Sequence, residues 1–220
     1  MAFTVKKDKR SLNHGITGTW LLAVVAPQSI AVLGTLIAAN YNTNYKLILN
    51  FIALSMWLWS GMFYLWIIVL IFYRYTFSSF SPNDFAPSYW INMGAIMAIS
   101  TLAGSLLITN ASKFSYLHTL LPFLKGFTLL YWVTGTWWIP FLLVLEFWRH
   151  VYKRYPLRYD PLYWGVVFPL GMYSVATFRL AKIVDLPFLI AISQFFIYIA
   201  VFAWITVIFG LFRAIINSFR

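Results

Sequence analysis

Apolar residues run along this chain in long stretches that are separated by short polar connections. The stretches cover residues 17–39, 46–73, 89–109, 126–148, 161–181 and 188–212. Each is close to the length of about 20 residues that an α-helix needs to cross the hydrocarbon core of a bilayer. The pattern therefore predicts an all-α polytopic membrane protein with about six transmembrane helices.

The predicted helices take up nearly all of the sequence, which determines the expected domain organisation. We expect a cationic cytoplasmic N-terminal segment over residues 1–16, a single transmembrane domain over 17–214 and a short cytoplasmic tail over 215–220. No stretch of domain size remains for a soluble catalytic or regulatory unit. We expect an integral protein of the plasma (cell) membrane whose first partner is the lipid bilayer.

The stretches alternate in character. Small residues let helices approach closely and bring polar groups toward a shared axis, whereas aromatic rings suit lipid and the interfacial belt. We therefore expect three helical hairpins in which inner small/polar helices alternate with outer aromatic helices, although the small residues fit tight packing without a pore equally well. The odd stretches carry Gly18, Gln28, Ser29 and Gly34, then Asn92, Gly94, Ser100, Thr101, Gly104 and Ser105, then Gly165, Gly171, Ser174 and Thr177. The even stretches carry Trp57, Trp59, Phe63 and Trp66, then Trp132, Trp137, Trp138 and Phe141, then Phe195, Phe196, Tyr198 and Trp204.

The odd stretches also begin alike, which indicates a weak internal repeat. Aromatic residues stand at Trp20, at Tyr89 and Trp90, and at Tyr163 and Trp164. Repeated helix pairs are a common way to build membrane proteins.

Composition and charge support lipid as the solvent of this chain. Hydrophobic residues make up 62% and charged residues 10%, with a mean hydropathy of +0.79, whereas a soluble domain has roughly 25% charged residues. The net charge of +11 would favour nucleic acid in a soluble protein. Here the cations lie between apolar runs, so we expect them to anchor helix ends and expect no nucleic-acid partner. The absence of Cys excludes disulfides and thiol chemistry.

The sequence offers few residues that could carry out catalysis. No stretch holds two acids that could act as an acid/base pair, and no haem or metalloprotease ligand set is present. We therefore expect no enzyme, no metal and no cofactor. Glu146 is either a proton site or, as we favour, an i,i+3 ion pair with Arg149 at the membrane boundary. The ionisable candidates all lie in connections or near stretch ends: Asp8, Asp84, Glu146, Asp160, Asp185, His14, His118 and His150.

Transport of anions fits the charge pattern better. Acidic residues are absent from the middles of the stretches, so no cation site is evident. Arg179 and Lys182 lie at the end of the fifth stretch, and positive charge at a pore mouth raises the local concentration of anions. Snorkelling of both side chains to the headgroups is the alternative. Pro27 and Pro169 lie inside the first and fifth stretches, where proline removes one backbone hydrogen bond and bends the helix.

Three segments carry a family resemblance: Gly18–Gln28, Pro87–Met97 and, most specifically, Tyr163–Tyr173 with the sequence Tyr-Trp-Gly-Val-Val-Phe-Pro-Leu-Gly-Met-Tyr. They resemble the tellurite-resistance/dicarboxylate transporter family, which includes the slow-type anion channels of plants and fungal malate and sulfite transporters. The resemblance implies the family fold of ten helices in five hairpins around a central pore, of which this chain matches the last six helices. It also implies a homo-oligomer, since the best-known members are trimers.

The resemblance also implies roles for single residues. The gating phenylalanine of the family lies directly before a proline, in a Trp-x-x-x-Phe-Pro stretch that corresponds here to Trp164–Pro169. Phe168 is thereby expected to be the pore gate, with Pro169 and Pro27 as helix kinks and with Arg179 and Lys182 attracting anions at the mouth. The pore-lining candidates are Gln28, Thr101, Gly104, Gly171 and Ser174.

Two classes of function remain open at this point. The leading one is membrane transport of small anions, meaning dicarboxylates, inorganic anions or oxyanions, through a pore lined by the odd-numbered helices. The alternative is a non-transporting membrane subunit or a truncated family member that needs a partner chain. Three hairpins would make an open arc rather than a closed ring. The sequence is therefore expected to be a shortened form, to be completed by further copies or a partner chain that supplies the missing helices, or to be a fragment of a longer gene.

The distribution of Lys and Arg predicts that both termini are cytoplasmic, because cytoplasmic connections carry an excess of these residues. One side carries eleven cations and the other five. Reporter fusions at the two ends measure this, and ends on opposite sides of the membrane would mean an odd number of crossings. The first side holds Lys6, Lys7, Lys9, Arg10, Arg74, Arg149, Lys153, Arg154, Arg158, Arg213 and Arg220, and the second holds Lys46, Lys113, Lys125, Arg179 and Lys182.

Overall fold

The computed structural model describes residues 15–40, 45–77, 81–94, 98–157 and 159–218, and all regular structure in these ranges is helical. The principal helices are α1 (Leu22–Asn40), α2 (Lys46–Phe77), α3 (Ile99–Ala111), α4 (Leu121–Phe147), α5 (Trp164–Val184) and α6 (Phe188–Ser218). Shorter helical segments lie at Gly18–Leu21, Pro87–Trp90, Ile91–Met93, Ser115–Thr119, Trp148–Tyr152 and Pro161–Tyr163. The predicted N-terminal cations Lys6, Lys7, Lys9 and Arg10, and also Arg158 and Arg220, lie outside the described residues.

Among the described residues, five helices are long and apolar enough to cross a membrane. They are α1 and α5 with their preceding turns, α4 with its following turn, and α2 and α6. This confirms an all-α polytopic membrane protein. In the third predicted stretch the described helical structure covers Pro87–Trp90, Ile91–Met93 and α3, which has 13 residues, and residues 95–97 lie outside the described ranges. A sixth crossing therefore stays a prediction. Helix α6 extends to Ser218 and so includes most of the predicted tail.

Helix α3 is the buried centre of the molecule. It packs against α1, α2, α4 and α5, and eleven of its residues are buried. Gly104 makes this possible, because a Cβ atom there would lie 2.1 Å from Thr128 Oγ1 on α4 and 3.0 Å from the Trp57 ring on α2. A small residue thus lets three helices share one contact.

The flanking helices pack in pairs, α1 along α2 and α5 along α6. The second pair is joined by a tight turn in which Asp185 adopts the left-handed conformation with φ of 54°. The Leu186 N–H then donates to the Ala181 carbonyl over 3.1 Å. Asp tolerates this conformation better than most residues do, so the chain reverses within a few residues.

Arg74 joins several segments at one end of the helices. Only 4% of this residue is exposed. Its guanidinium donates to the Ile16 carbonyl and to the Tyr89 hydroxyl, and it pairs with the Asp84 carboxylate over 3.1 Å. A buried arginine is tolerated when its charge is paired and its N–H groups are bonded. This cluster fixes the end of α2 to the start of the Pro87–Trp90 segment.

Asparagines join the helices at the opposite end. The Asn110 amide on α3 donates to the Thr35 carbonyl on α1 over 3.0 Å and to Asn50 Oδ1 on α2 over 2.9 Å. Asn50 in turn donates to the Lys46 carbonyl. Interhelical hydrogen bonds of this kind hold helices together where lipid is the solvent.

The packing of α2 on α4 predicts the outcome of one substitution. A Cβ atom on Gly61 would lie 1.9 Å from the Tyr131 hydroxyl and 3.0 Å from Cζ. We expect Gly61→Ala to destabilise the protein by about 1–3 kcal/mol, as overpacking does in soluble cores. Thermal unfolding in detergent measures the change.

Two matched variants sharpen this test. Tyr131→Phe removes the clashing oxygen, so it should restore much of the stability when combined with Gly61→Ala. Gly126→Ala is the control, because nothing lies within 4 Å of a Cβ atom there and alanine favours the helix. A Gly61→Ala protein as stable as the parent would contradict a fixed position of the Tyr131 hydroxyl against α2.

Candidate functional site

The three segments that begin alike in the sequence meet in space around Ser88. A Cβ atom on Gly18 would lie 2.5 Å from the Ser88 carbonyl oxygen, and one on Gly165 would lie 3.5 Å from the Ser88 Cα. In each segment a 3₁₀ turn precedes the α-helix. The glycine at position 18 is required, since a side chain there would overlap the backbone of the second segment.

The two prolines of the odd helices are buried inside α1 and α5. A Cβ atom on Gly94 would lie 2.7 Å from Pro169 Cγ, so this glycine lets the central segment pack directly on the proline ring. Near Pro27, the Ser60 hydroxyl of α2 donates to the Val24 carbonyl over 2.7 Å. This bond joins α2 to the turn before Pro27, whereas the carbonyl that the proline deprives of its helical donor is that of Ala23, four residues earlier.

One face of α5 is not covered by the other described helices. Phe168 is 44% exposed, and nothing lies within 4 Å of a Cβ atom built on Gly171. Further residues follow Phe168 and Gly171 at intervals of three or four positions, which places them on the same side of the helix. We call this the open face of α5, and it comprises Phe168, Gly171, Val175, Phe178, Arg179 and Lys182.

The open face has an aromatic part and a cationic end. Arg179 and Lys182 are both exposed, and the Lys182 ammonium lies 4.3 Å from the centre of the Phe178 ring. At a rise of about 1.5 Å per residue, Arg179 lies about 16 Å along the helix from Phe168. Phe168 therefore lies toward one end of the helix and the cations toward the other.

Most of the predicted pore-lining residues do not lie on this face. Gln28 and Thr101 have no exposed surface, and Gly104 packs against Thr128 and Trp57. The Gln28 amide donates to the Trp57 carbonyl over 3.3 Å.

Ser174 is buried against α6. Its hydroxyl donates to the Ser193 carbonyl over 2.8 Å, and the Ser193 hydroxyl donates to the Ser174 carbonyl over the same distance. These two reciprocal hydrogen bonds hold α5 and α6 together. Of the predicted lining residues, Gly171 is therefore the one that the structure places beside Phe168.

Buried polar atoms form a cluster around α3. Most of the residues that carry these atoms were not among the predicted pore-lining residues. Leaving one buried polar atom unpaired costs about 1–3 kcal/mol, so a concentration of them marks a place where hydroxyl and amide groups can donate to water or an anion. The signal in the sequence was the run of small polar residues in the third stretch. The atoms without a partner among the described residues include Gln28 Oε1, both polar side-chain atoms of Asn92, and the hydroxyls of Ser100, Thr101, Ser105 and Thr128.

The predicted ion pair between Glu146 and Arg149 is wrong. Glu146 Oε1 accepts from the Trp90 indole over 3.0 Å, and His150 Nε2 lies 3.3 Å from Oε2. The Arg149 guanidinium lies instead 4.4 Å from the centre of the Tyr155 ring. The turn from Trp148 to Tyr152 is π-helical and holds more residues than an α-helical turn, which changes the direction of Arg149 relative to Glu146.

These features define an integral membrane protein whose apolar helices carry a partly uncovered face with an aromatic part and a cationic end. Comparison with known proteins gives the particular group. The profile of the SLAC1 family, described as voltage-dependent anion channels, matches residues 1–212. The chain therefore belongs to this family.

Several curated proteins are similar to the chain. An uncharacterized membrane protein of Mycobacterium tuberculosis is 39% identical over 123 residues, covering 56% of this chain and 61% of the relative. An uncharacterized transporter of Methanocaldococcus jannaschii is 25% identical over 203 residues, covering 92% of this chain and 57% of the relative. A sulfite efflux pump of Trichophyton rubrum is 24% identical over 201 residues, covering 87% of this chain and 52% of the relative.

The chain thus spans between about half and three fifths of the length of these relatives. No solved structure gives a significant match to it. The names of the relatives and the family description refer to membrane proteins, transporters and channels, which fits the expectation that the chain is not an enzyme.

Proposed function

We propose that this chain contributes to a membrane pathway for small anions and that the open face of α5 lines the pathway. The observation that carries the proposal is the combination, on one face, of the exposed ring of Phe168 and the cations Arg179 and Lys182. Cations at a pore mouth raise the local concentration of anions. Membership of a family described as anion channels supports the same function.

The proposed substrates are small oxyanions or dicarboxylates. One relative is named a sulfite efflux pump, and we propose sulfite as the first anion to test on this chain. Selectivity would come from the width of the pathway and from its electrostatic field.

Phe168 is the proposed gate of the pathway. Its ring is large enough to block a narrow apolar passage and is already 44% exposed. The space beside Gly171, one turn away, leaves room for the ring to change rotamer. Pro169 fixes the backbone just after the gate by packing on Gly94. The ring can therefore move while the helix that carries it stays in place.

An assembly is needed to close the proposed pathway. Helix α3 packs between α1 and α5, so these helices form an arc, and one side of α5 is uncovered by the described residues. We propose that further copies of the chain, as in a trimer, or another chain, cover this side. The alternative function is a membrane subunit that assembles with such a partner but does not itself transport anions.

Phe168→Ala tests the gate. We expect the variant to raise anion flux several-fold per assembled molecule, because the ring no longer obstructs the pathway. We expect a smaller loss of stability than the about 3–5 kcal/mol seen when a buried phenylalanine is truncated. Flux of sulfite and of chloride into liposomes, normalised to correctly assembled protein, measures the effect.

Phe195→Ala is the matched control for this experiment. Phe195 is also a phenylalanine with a large exposed fraction, 62%, but it lies on α6. Its truncation should leave flux near that of the parent. Equal or lower flux from Phe168→Ala would remove Phe168 as the gate, whereas a similar rise from both variants would indicate non-specific leakage.

The need for an assembly gives a second prediction. Purified chain that is monomeric in liposomes should pass no anions, because three inner helices cannot enclose a path. Single-molecule counting of labelled chains in the same vesicles reports the oligomeric state beside the flux. Robust flux from vesicles that each hold one chain would contradict the prediction, and inactivity of every self-assembled state would favour the non-transporting subunit.

A further inference from the structure

Arg149 is buried at the end of α4 without the partners that such a residue normally has. Only 7% of it is exposed. Its Nε and Nη1 atoms have no hydrogen-bond partner in the described part of the chain, and the centre of the Tyr155 ring lies 4.4 Å from its guanidinium carbon. Leaving charged donors buried and unbonded is costly. An anionic group is the chemistry that removes this cost.

A cavity of about 200 Å³ lies beside Arg149. One water molecule takes about 30 Å³ in the liquid, so the cavity has room for an oxyanion with several oxygen atoms. It is lined by Arg149 together with Pro87, Tyr155, Pro156, Tyr159, Asp160 and Tyr163. Tyrosine hydroxyls can donate hydrogen bonds to the same anion that pairs with a guanidinium.

The acids near Arg149 are engaged elsewhere. Asp160 lines the cavity, but its Oδ1 atom accepts the Leu162 N–H over 2.8 Å and caps the following turn. Glu146 is bonded to Trp90 and lies against His150. No carboxylate of the described residues lies within 4.0 Å of the Arg149 guanidinium nitrogens. The negative charge of Asp160 therefore weakens the binding of an anion in the cavity, but Asp160 does not pair with Arg149 in place of that anion.

A second cavity continues from the first. It has about 750 Å³ and shares Tyr159 and Tyr163 with the smaller one, and its lining includes Arg213 and Asn217 of α6. A head group bound at Arg149 could thus extend along α6 toward another cation. Basic pockets between helices near the cytoplasmic surface are typical sites for anionic lipid head groups.

We propose that the cavity at Arg149 is a binding site for a phosphate-like oxyanion, supplied either as a free anion or as the head group of an anionic phospholipid. Arg149 pairs with the oxyanion, and Tyr159 and Tyr163 donate to it. The site lies at the end of the molecule that holds Arg74 and Glu146, away from the cationic end of α5. Its occupation would fix the α4–α5 connection to the start of α5. The inference does not depend on transport by the chain.

Binding is measured by thermal unfolding of the full chain. One arm titrates inorganic phosphate against chloride at matched ionic strength in a neutral detergent. The other compares vesicles of phosphatidylcholine alone with vesicles that also contain phosphatidylglycerol. A ligand that binds the folded state raises the unfolding temperature in a concentration-dependent way. Phosphate also stabilises folded proteins without binding at a site, so stabilisation in the first arm identifies a free anion only if Arg149→Gln reduces it. Stabilisation in the second arm alone identifies the lipid.

Three variants make the test specific. Arg149→Gln should weaken binding about tenfold or more, since it removes a charge-assisted contact. Asp160→Asn should strengthen binding, because it removes a negative charge and keeps an oxygen that can cap the turn. Lys153→Gln, at an exposed cation of the same connection that lines neither cavity, should leave binding unchanged.

Several results would overturn the proposal. They are a lack of stabilisation in both arms, an equal loss in Lys153→Gln and Arg149→Gln, and unchanged binding in Asp160→Asn. The last variant keeps the test decisive if Arg149→Gln does not fold. Binding by Phe168→Ala should equal that of the parent, which separates this site from the proposed gate.

Discussion

Lipid tails are as apolar as leucine, so helices in a bilayer gain little by burying apolar side chains against one another. Close contact and interhelical hydrogen bonds have to supply the stabilisation instead. In this molecule both are concentrated around α3, where Gly104 and Gly94 bring neighbouring elements into contact and Asn110 bonds to two helices. The position of α5, and with it the direction of Phe168, depends on this central packing.

The same constraint explains the contrast between the two helices of the last hairpin. Helix α6 is mostly uncovered. In its most apolar stretch 11% of the residues are buried, whereas 44% are buried in the corresponding stretch of α5. Helix α6 therefore provides a broad apolar surface suited to lipid, and the Ser174–Ser193 bonds hold α5 to it. Because α6 covers one side of α5 and α3 another, the face with Phe168 is left for a different neighbour.

Length and hydropathy were sufficient to predict five of the helices, since each needs a long apolar run and little else. The third stretch stays a predicted crossing, because residues 95–97 within it lie outside the described part of the chain. The direction in which individual side chains point was harder still to predict. Trp57 belongs to a stretch rich in aromatic residues that was expected to face lipid, yet it is fully buried and its indole donates to the Ser100 carbonyl over 2.8 Å. Similarly, Ser174 was expected to line a pore, whereas its hydroxyl bonds to Ser193 of α6.

The space beside Gly171 has a consequence for the rate at which a pathway through this molecule would open. Rotamer changes of exposed side chains take picoseconds to nanoseconds, whereas shifts of packed helices take microseconds to milliseconds. A ring that moves into existing space needs no helix to shift, so its open and closed positions would interchange faster than a single-channel recording can follow. Conductance would then be a graded time average, and slow, discrete openings would report a rearrangement of helices.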